Sequence, residues 1–175
     1  ADADVILENC TFSDNLATVG GAMYWSDANA EIVDCNISGN LAYQGGGLFG
    51  DSGSAIIENS IIQSNFAGTA QRDVNGVGGQ GGGIYSVSLA AEIKDCTIID
   101  NDAYTSGGGI FFSGIEANTP TVTNCLVVGN QAGRDGGGIS ANWHSEPNIV
   151  NCTIADNIVT GTGFEAGYGG GVYCS

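Results

Sequence analysis

Apolar and polar positions along the chain recur in blocks. Each block has a small residue at a fixed place: Cys10, Cys35, Ser60, Cys96, Cys125 and Cys152. Three positions earlier stands an aliphatic residue (Leu7, Ile32, Ile57, Ile93, Val122, Ile149), and two positions later another apolar one (Phe12, Ile37, Ile62, Ile98, Val127, Ile154). From the small residue to the second apolar position the alternation has period two, which predicts a short strand with one buried face. The step from the first aliphatic residue to the small one is odd, so the chain must bend between them. The residue at that bend is always Asn or Asp: Asn9, Asp34, Asn59, Asp95, Asn124 and Asn151. Both types tolerate left-handed backbone and hydrogen-bond to their own turn. A second corner is expected at Asn15, Asn40, Asn65, Asn101, Asn130 and Asn157. A glycine-rich stretch then opens a third strand, with Met23, Leu48, Ile84, Ile110, Ile139 and Val172 in register behind it.

The cysteine column advances by 25, 25, 36, 29 and 27 residues. Short strands, sharp corners and a period near 25 residues predict an all-β fold: a right-handed, single-stranded parallel β-helix of about six coils, forming one domain over 1–175 without capping elements. Each coil buries its apolar face only by stacking on the next, at a strand spacing of ~4.8 Å, so six coils make a rod roughly 29 Å long. The longer steps place inserted loops at 68–80 and 160–168, both after the Asn corner and before the glycines, bulging from one edge of the rod.

The handedness comes from a resemblance. "FSDN" (12–15) paired with "GGAM" (20–23), relaxing in later copies to "ISGN", "IIDN", "VVGN" and to "GGGL" or "GGGI", is similar to the repeats of chlamydial polymorphic outer membrane proteins. The resemblance spans the whole chain and implies a right-handed β-helix of the kind found in autotransported adhesins. It does not extend to autotransport, because these residues include no membrane-barrel segment.

Composition narrows the function. Thirty glycines and two prolines sit beside abundant aliphatics, a mixture that argues against disorder. Nineteen acids face only Arg72, Lys94 and Arg134, for a net charge of −16. So acidic a chain is a poor partner for nucleic acid or anionic lipid. No apolar run is long enough for a membrane helix, and no membrane insertion is expected. No basic, apolar-cored leader is visible, so a signal peptide would have been removed already or never present. An acidic, soluble surface suits an extracellular or cell-surface setting.

Chemistry is sparse. "GVGGQGGG" (76–83) resembles a phosphate loop but lacks the following Lys-Ser/Thr, and its last glycines belong to the repeat. His144, in "ANWHSEPN", is the only histidine, so one chain cannot build a zinc cluster on histidines, and His144 reads as a surface residue. Polysaccharide hydrolases need a carboxylate pair and lyases a basic residue beside acids. Asp14, Asp100, Asp102 and Asp156 lie near the second corner, but no catalytic constellation stands out, and no cofactor is expected. The same four aspartates are candidate calcium ligands, with turn geometry as their plainer explanation. Tyr24, Phe49, Tyr85, Phe111 and Tyr173 follow the glycines, Ser140 being the exception, and are expected to point outward as a surface ladder open to glycan or self-association. The column cysteines have two readings, as packed thiols or as disulfides between adjacent coils, with candidates Cys10, Cys35, Cys96, Cys125 and Cys152 and, outside the column, Cys174.

Joining the last residues to the first keeps the register: Val172 to the next Cys10 is 13 residues, as Ile139 to Cys152 is, against 12 from Met23 to Cys35 and from Ile84 to Cys96. Two explanations fit: copies stacked head to tail, or a section of a longer β-helix. The leading expectation is an extracellular structural protein, a non-enzymatic filament subunit stacking head to tail with itself through Val5, Leu7, Cys10, Val172 and Cys174. The alternatives are a surface adhesin binding glycan or host, and a polysaccharide lyase or hydrolase.

Overall fold

All six Asn/Asp bends are made in left-handed backbone: φ is 53° at Asn9 and Asp34, 51° at Asn59, 53° at Asp95, 56° at Asn124 and 53° at Asn151. Repeating this bend once per coil winds the chain into a right-handed parallel β-solenoid with no helices among the described residues. The structure is a computed structural model that describes residues 4–68, 78–114, 118–161 and 167–175.

Three parallel sheets run along the coil axis, of ten, six and five strands. The six-stranded sheet carries the segment after the cysteine column, from Thr11–Ser13 to Thr153–Ala155, so its six rungs bound five turns. The ten-stranded sheet joins the segment after the glycines to the segment before the bend. In two coils these are one strand, Met23–Val33 and Leu48–Glu58, while later coils divide them, as in Ile84–Val87 and Ala90–Lys94.

Register follows the sequence columns. Leu7 pairs with Ile32, Ile32 with Ile57, Ile57 with Ile93, Ile93 with Val122 and Val122 with Ile149. The columns beginning at Phe12 and Met23 pair in the same order. The central members are fully buried, and each such side chain contributes roughly 1.5–3 kcal/mol. Trp25 also points inward; Gly50, one rung on, makes room for it, since a Cβ there would lie 2.4 Å from the indole Cζ2.

The third sheet was not expected. Its strands are two residues long (Leu41–Ala42, Phe66–Ala67, Asp102–Ala103, Gln131–Ala132, Ile158–Val159), and Ala42, Ala67, Ala103 and Ala132 form its buried column. Alanine keeps this wall close to the axis, beside the asparagine ladder.

That ladder corrects the simple picture of a turn-forming asparagine. The left-handed residue is the one before, as at Asp14, Gly39, Ser64, Asp100, Gly129 and Asp156. The asparagine itself turns inward. Asn65 donates from its main-chain N–H and from Nδ2 to Asn101 Oδ1 (3.0 and 2.9 Å), Asn101 donates likewise to Asn130 (3.0 and 3.0 Å), and Asn130 to Asn157 (2.9 and 2.9 Å). The other Nδ2 hydrogen reaches a carbonyl of the previous coil, for Asn101 that of Ile62 at 2.9 Å. Asn15 and Asn40 continue the pattern (3.0 and 2.9 Å).

The glycines are needed because adjacent coils nearly touch. Gly107 adopts φ 67°, and a Cβ on Gly108 would lie 2.3 Å from the carbonyl oxygens of Gln131 and Gly137.

The cysteines form no disulfide: all six are free thiols. Each column thiol donates to the carbonyl two residues back, as Cys96 to Lys94 (3.2 Å) and Cys125 to Thr123 (3.3 Å), which pins the Asn/Asp bend. Ser60 does the same, donating to Glu58 (2.9 Å) and accepting the Cys35 N–H (3.1 Å). Each sulfur thus bonds the backbone of its own bend while stacking against the thiol of a neighbouring coil, as Cys96 does against Cys125. Contact with the Cys125 thiol and burial push the Cys96 thiol far up, and burial raises Cys35 and Cys152 as well.

The inserts expected at 68–80 and 160–168 fall largely outside the described residues, as does Arg72. Their described ends include Gly68, which donates to Ala42 (2.8 Å), and Gly79, which donates to Tyr43 (2.8 Å).

Candidate ligand-binding cleft

Residues that follow the glycines alternate in and out, so Tyr24, Phe49, Tyr85, Phe111, Ser140 and Tyr173 share one column on the outer face of the ten-stranded sheet. The rings stack as expected, with centroids 5.5 Å apart for Tyr24–Phe49, 4.7 Å for Phe49–Tyr85 and 4.9 Å for Tyr85–Phe111. They do not form an exposed stripe, however. Phe49, Tyr85 and Phe111 are buried as a second hydrophobic cluster with Val19 and Val87 against it. Edge-to-face rings on successive rungs cover one another, and neighbouring columns close over them. Burial pushes the Tyr85 phenol up, partly offset by its hydrogen bond with Ser113.

Beyond Phe111 the ladder breaks at Ser140 and resumes at Tyr173, where a cleft of about 490 Å³ opens. One wall comes from the column just before the glycines, Gln44, Gln80, Ser106 and Asp135, in which Gln44 Nε2 donates to Gln80 Oε1 at 3.2 Å. The floor is Tyr85 and Phe111. The far wall is Asn142 with Trp143, and Tyr173 closes the end. Tyr173 stacks on Tyr168, with centroids 6.0 Å apart and planes at 24°. Arg134 lies at the rim with its Nε 3.5 Å from Asp135 Oδ2.

Trp143 is the unusual member. It is 62% exposed, and both it and His144 hold left-handed backbone, at φ 51° and 62°. Bulky residues rarely adopt this region, and such strain concentrates at binding sites. The bend is fixed from both sides: Gly114 N–H donates to the Trp143 carbonyl (2.8 Å) and Asn118 N–H to that of His144 (3.2 Å). His144 is exposed, as expected.

The other candidates are dispersed. At the second corner carboxylates do not fall on successive rungs, since Gly39, Ser64 and Gly129 intervene between Asp14, Asp100 and Asp156. Asp102 lies in a strand, paired with Phe66 and Gln131. The described residues hold no group of three or more His, Cys, Asp or Glu placed to bind a metal, and Asp14, Asp100 and Asp156 each occupy a left-handed backbone position. Lys94 is on another part of the sheet, 3.0 Å from Glu58 and 3.6 Å from Asp95. Val5, Leu7 and Cys10 in the first rung are half-buried, while Val172 and Cys174 in the last are exposed.

Sequence reading identified Tyr85, Phe111 and Tyr173 but missed Asn142, Trp143 and Asp135. The one available signal was the Ser140 exception in a column of rings, close to an unusual corner sequence. A family model for the right handed beta helix region matches residues 1–154. No curated protein and no solved structure matches significantly.

Proposed function

The chain belongs to the right-handed β-helix family, and on that premise we propose that it is a non-catalytic recognition module of an extracellular or cell-surface protein, binding its ligand in the cleft. The observation that carries this reading is the exposed Trp143 side chain, which lines a cleft of about 490 Å³ from the first of two successive left-handed residues. A concave, part-aromatic site with a few convergent polar groups has the anatomy of a ligand pocket. The resemblance of the repeat motifs to those of chlamydial adhesins supports a surface role. The lone cleft carboxylate, Asp135, sits beside Arg134 without a second acid among the described lining residues, which favours binding over hydrolysis. The test is a binding screen of the purified chain against soluble glycans and extracellular polypeptides, with product analysis. Saturable binding without turnover, lost on Trp143→Gly, is expected. Absence of any binding, or turnover of the bound ligand, overturns the reading.

Head-to-tail stacking is a second reading, favoured by the polarity of the asparagine ladder. Among the described residues, Asn15 Oδ1 accepts nothing at one face and Asn157 N–H donates to nothing at the other, so the two faces are complementary. Val5, Leu7, Cys10, Val172 and Cys174 lie in those outer rungs. Further coils of one chain would satisfy the same groups. Electron microscopy of the purified protein decides: rods longer than one chain support self-assembly, and uniform short particles at high concentration refute it.

A further inference from the structure

Accepting the cleft as a binding site, the geometry points to an uncharged, chain-like saccharide as its ligand, with Trp143 and Tyr173 as the stacking platforms and Asn142 and Gln80 as the hydroxyl-reading groups. Four observations converge on this class.

The first is the surface the cleft offers. Tyr85 and Phe111 floor it, and Trp143 and Tyr173 stand at its margins, Trp143 exposed and Tyr173 half-buried. Sugar rings have apolar C–H faces and polar edges, so they match a site in which flat rings stand beside amides. Two side-chain amides line the wall at Gln44 and Gln80 and a third at Asn142. An amide offers an acceptor and two donors side by side, the pattern that adjacent hydroxyls require. A hydrophobic peptide segment would offer these amides no partner beyond the bond Gln44 Nε2 already makes to Gln80 Oε1 and those Asn142 Oδ1 accepts from Ser140 and Ser175.

The second observation is charge. Arg134 is the one cation among the described lining residues, and its guanidinium faces the Asp135 carboxylate. With a net charge of −16 on the whole chain, an acidic glycan meets repulsion and no surplus positive group to offset it. That selects uncharged saccharides over uronates and sulfated chains.

The third is repeat distance. Gln44, Gln80, Ser106 and Asp135 stand one to a rung, so a polar side chain, though not the same group, recurs along that wall at the rung spacing of ~4.8 Å. That is close to the advance of one sugar unit in an extended chain, so successive units meet successive rungs.

The fourth is the strained Trp143 itself. The left-handed bend belongs to the coil, since Asp27, Ser52 and Ser88 make it at the equivalent position of earlier coils, but those small or polar residues show that it does not require tryptophan. Holding a large exposed ring there is explained by what the ring contacts.

The chain carries two tryptophans, Trp25 buried at 5% and Trp143 at 62% exposed, so a contact quencher such as acrylamide reports almost wholly on Trp143. The probes are neutral β-glucan and N-acetylglucosamine oligosaccharides, oligogalacturonate as the acidic saccharide, and gelatin as an extended polypeptide. Binding of a neutral oligosaccharide that shields Trp143 from quencher is expected. Trp143→Gly should weaken it at least tenfold, from the lost ring contact, without lowering Tm. Tyr173→Ala should also weaken it, which keeps the test open should the glycine variant fold poorly. Binding confined to oligogalacturonate, or to gelatin, overturns the ligand class and leaves the recognition-module reading standing. Shortening of a bound neutral oligosaccharide upholds the ligand class and overturns the non-catalytic reading. Binding of none of the probes overturns the inference, and if the wider screen is empty too, the module reading falls with it.

Discussion

Replacing Asn101 by alanine tests whether the buried amide ladder holds the coils in register. Asn101 is 1% exposed, and its side chain makes four hydrogen bonds. Oδ1 accepts from the N–H and Nδ2 of Asn65, and Nδ2 donates to Ile62 O and Asn130 Oδ1. In Asn101→Ala the main-chain N–H still reaches Asn130 Oδ1, but two donors on the buried Asn65 lose their acceptor. An orphaned buried polar group costs roughly 1–3 kcal/mol, and the small cavity adds to this, giving a loss of about 3–6 kcal/mol. For a chain of this size that is a fall in Tm of roughly 10–20 °C. Asn15→Ala is the control: Asn15 is exposed and gives up only the bond from Nδ2 to Asn40, worth about 1 kcal/mol or less. Urea unfolding followed by circular dichroism, with calorimetry, measures both. Because coils contact only their neighbours, the Asn101 variant is also expected to unfold less cooperatively. Equal costs for the two variants, both near 1 kcal/mol, would falsify the ladder argument.

Three further predictions follow from the coil geometry. Gly108→Ala places a Cβ 2.3 Å from two carbonyl oxygens, whereas Gly109→Ala meets its nearest atom at 2.7 Å and occupies the position that Ala22 holds in the first coil; the first should prevent folding or cost several kcal/mol, and the second should cost much less, as read by thermal melts. Cys96→Ser should lie within about 1 kcal/mol of the parent because Ser60 makes the same bonds, while Cys96→Ala should lose about 1–2 kcal/mol; equal stabilities would refute the role given to the Sγ–H donor. Burial raises the Asp102 carboxyl, partly offset by the hydrogen bond from Gln131. The native state therefore holds that proton more tightly than the unfolded chain, and this stability is present in acid and lost as pH rises through the native pKa. Asp102→Asn should consequently raise stability at pH 7 and change nothing in acid, and a variant less stable at pH 7 would show the carboxylate to be needed.

In a solenoid, aligning the repeats is the same act as writing the contact map, because equivalent residues of successive coils are neighbours in space. The sequence alone therefore determined the strands, the left-handed Asn/Asp bends and the pairing of Ile32 with Ile57 or Ile98 with Val127. It also placed the rings of Phe49, Tyr85 and Phe111 in one stack. Tertiary structure decided what faces what. Asparagine suits an exposed turn as well as a buried amide ladder, and only the closure of the coil brings Asn65 under Asn101. The two-residue strands ending at Ala42 and Ala103 are too short to show a period. Cysteines stacked in a column satisfy disulfide spacing on paper, yet they stay free thiols, each donating to the carbonyl of its own bend. The cleft was the least legible part, because it draws Gln80, Asp135, Asn142, Trp143 and Tyr173 from several rungs and from a corner whose residue type changes from coil to coil: Asp27, Ser52, Ser88, Trp143. Binding sites break translational symmetry, and the repeat pattern carries no information about where that happens.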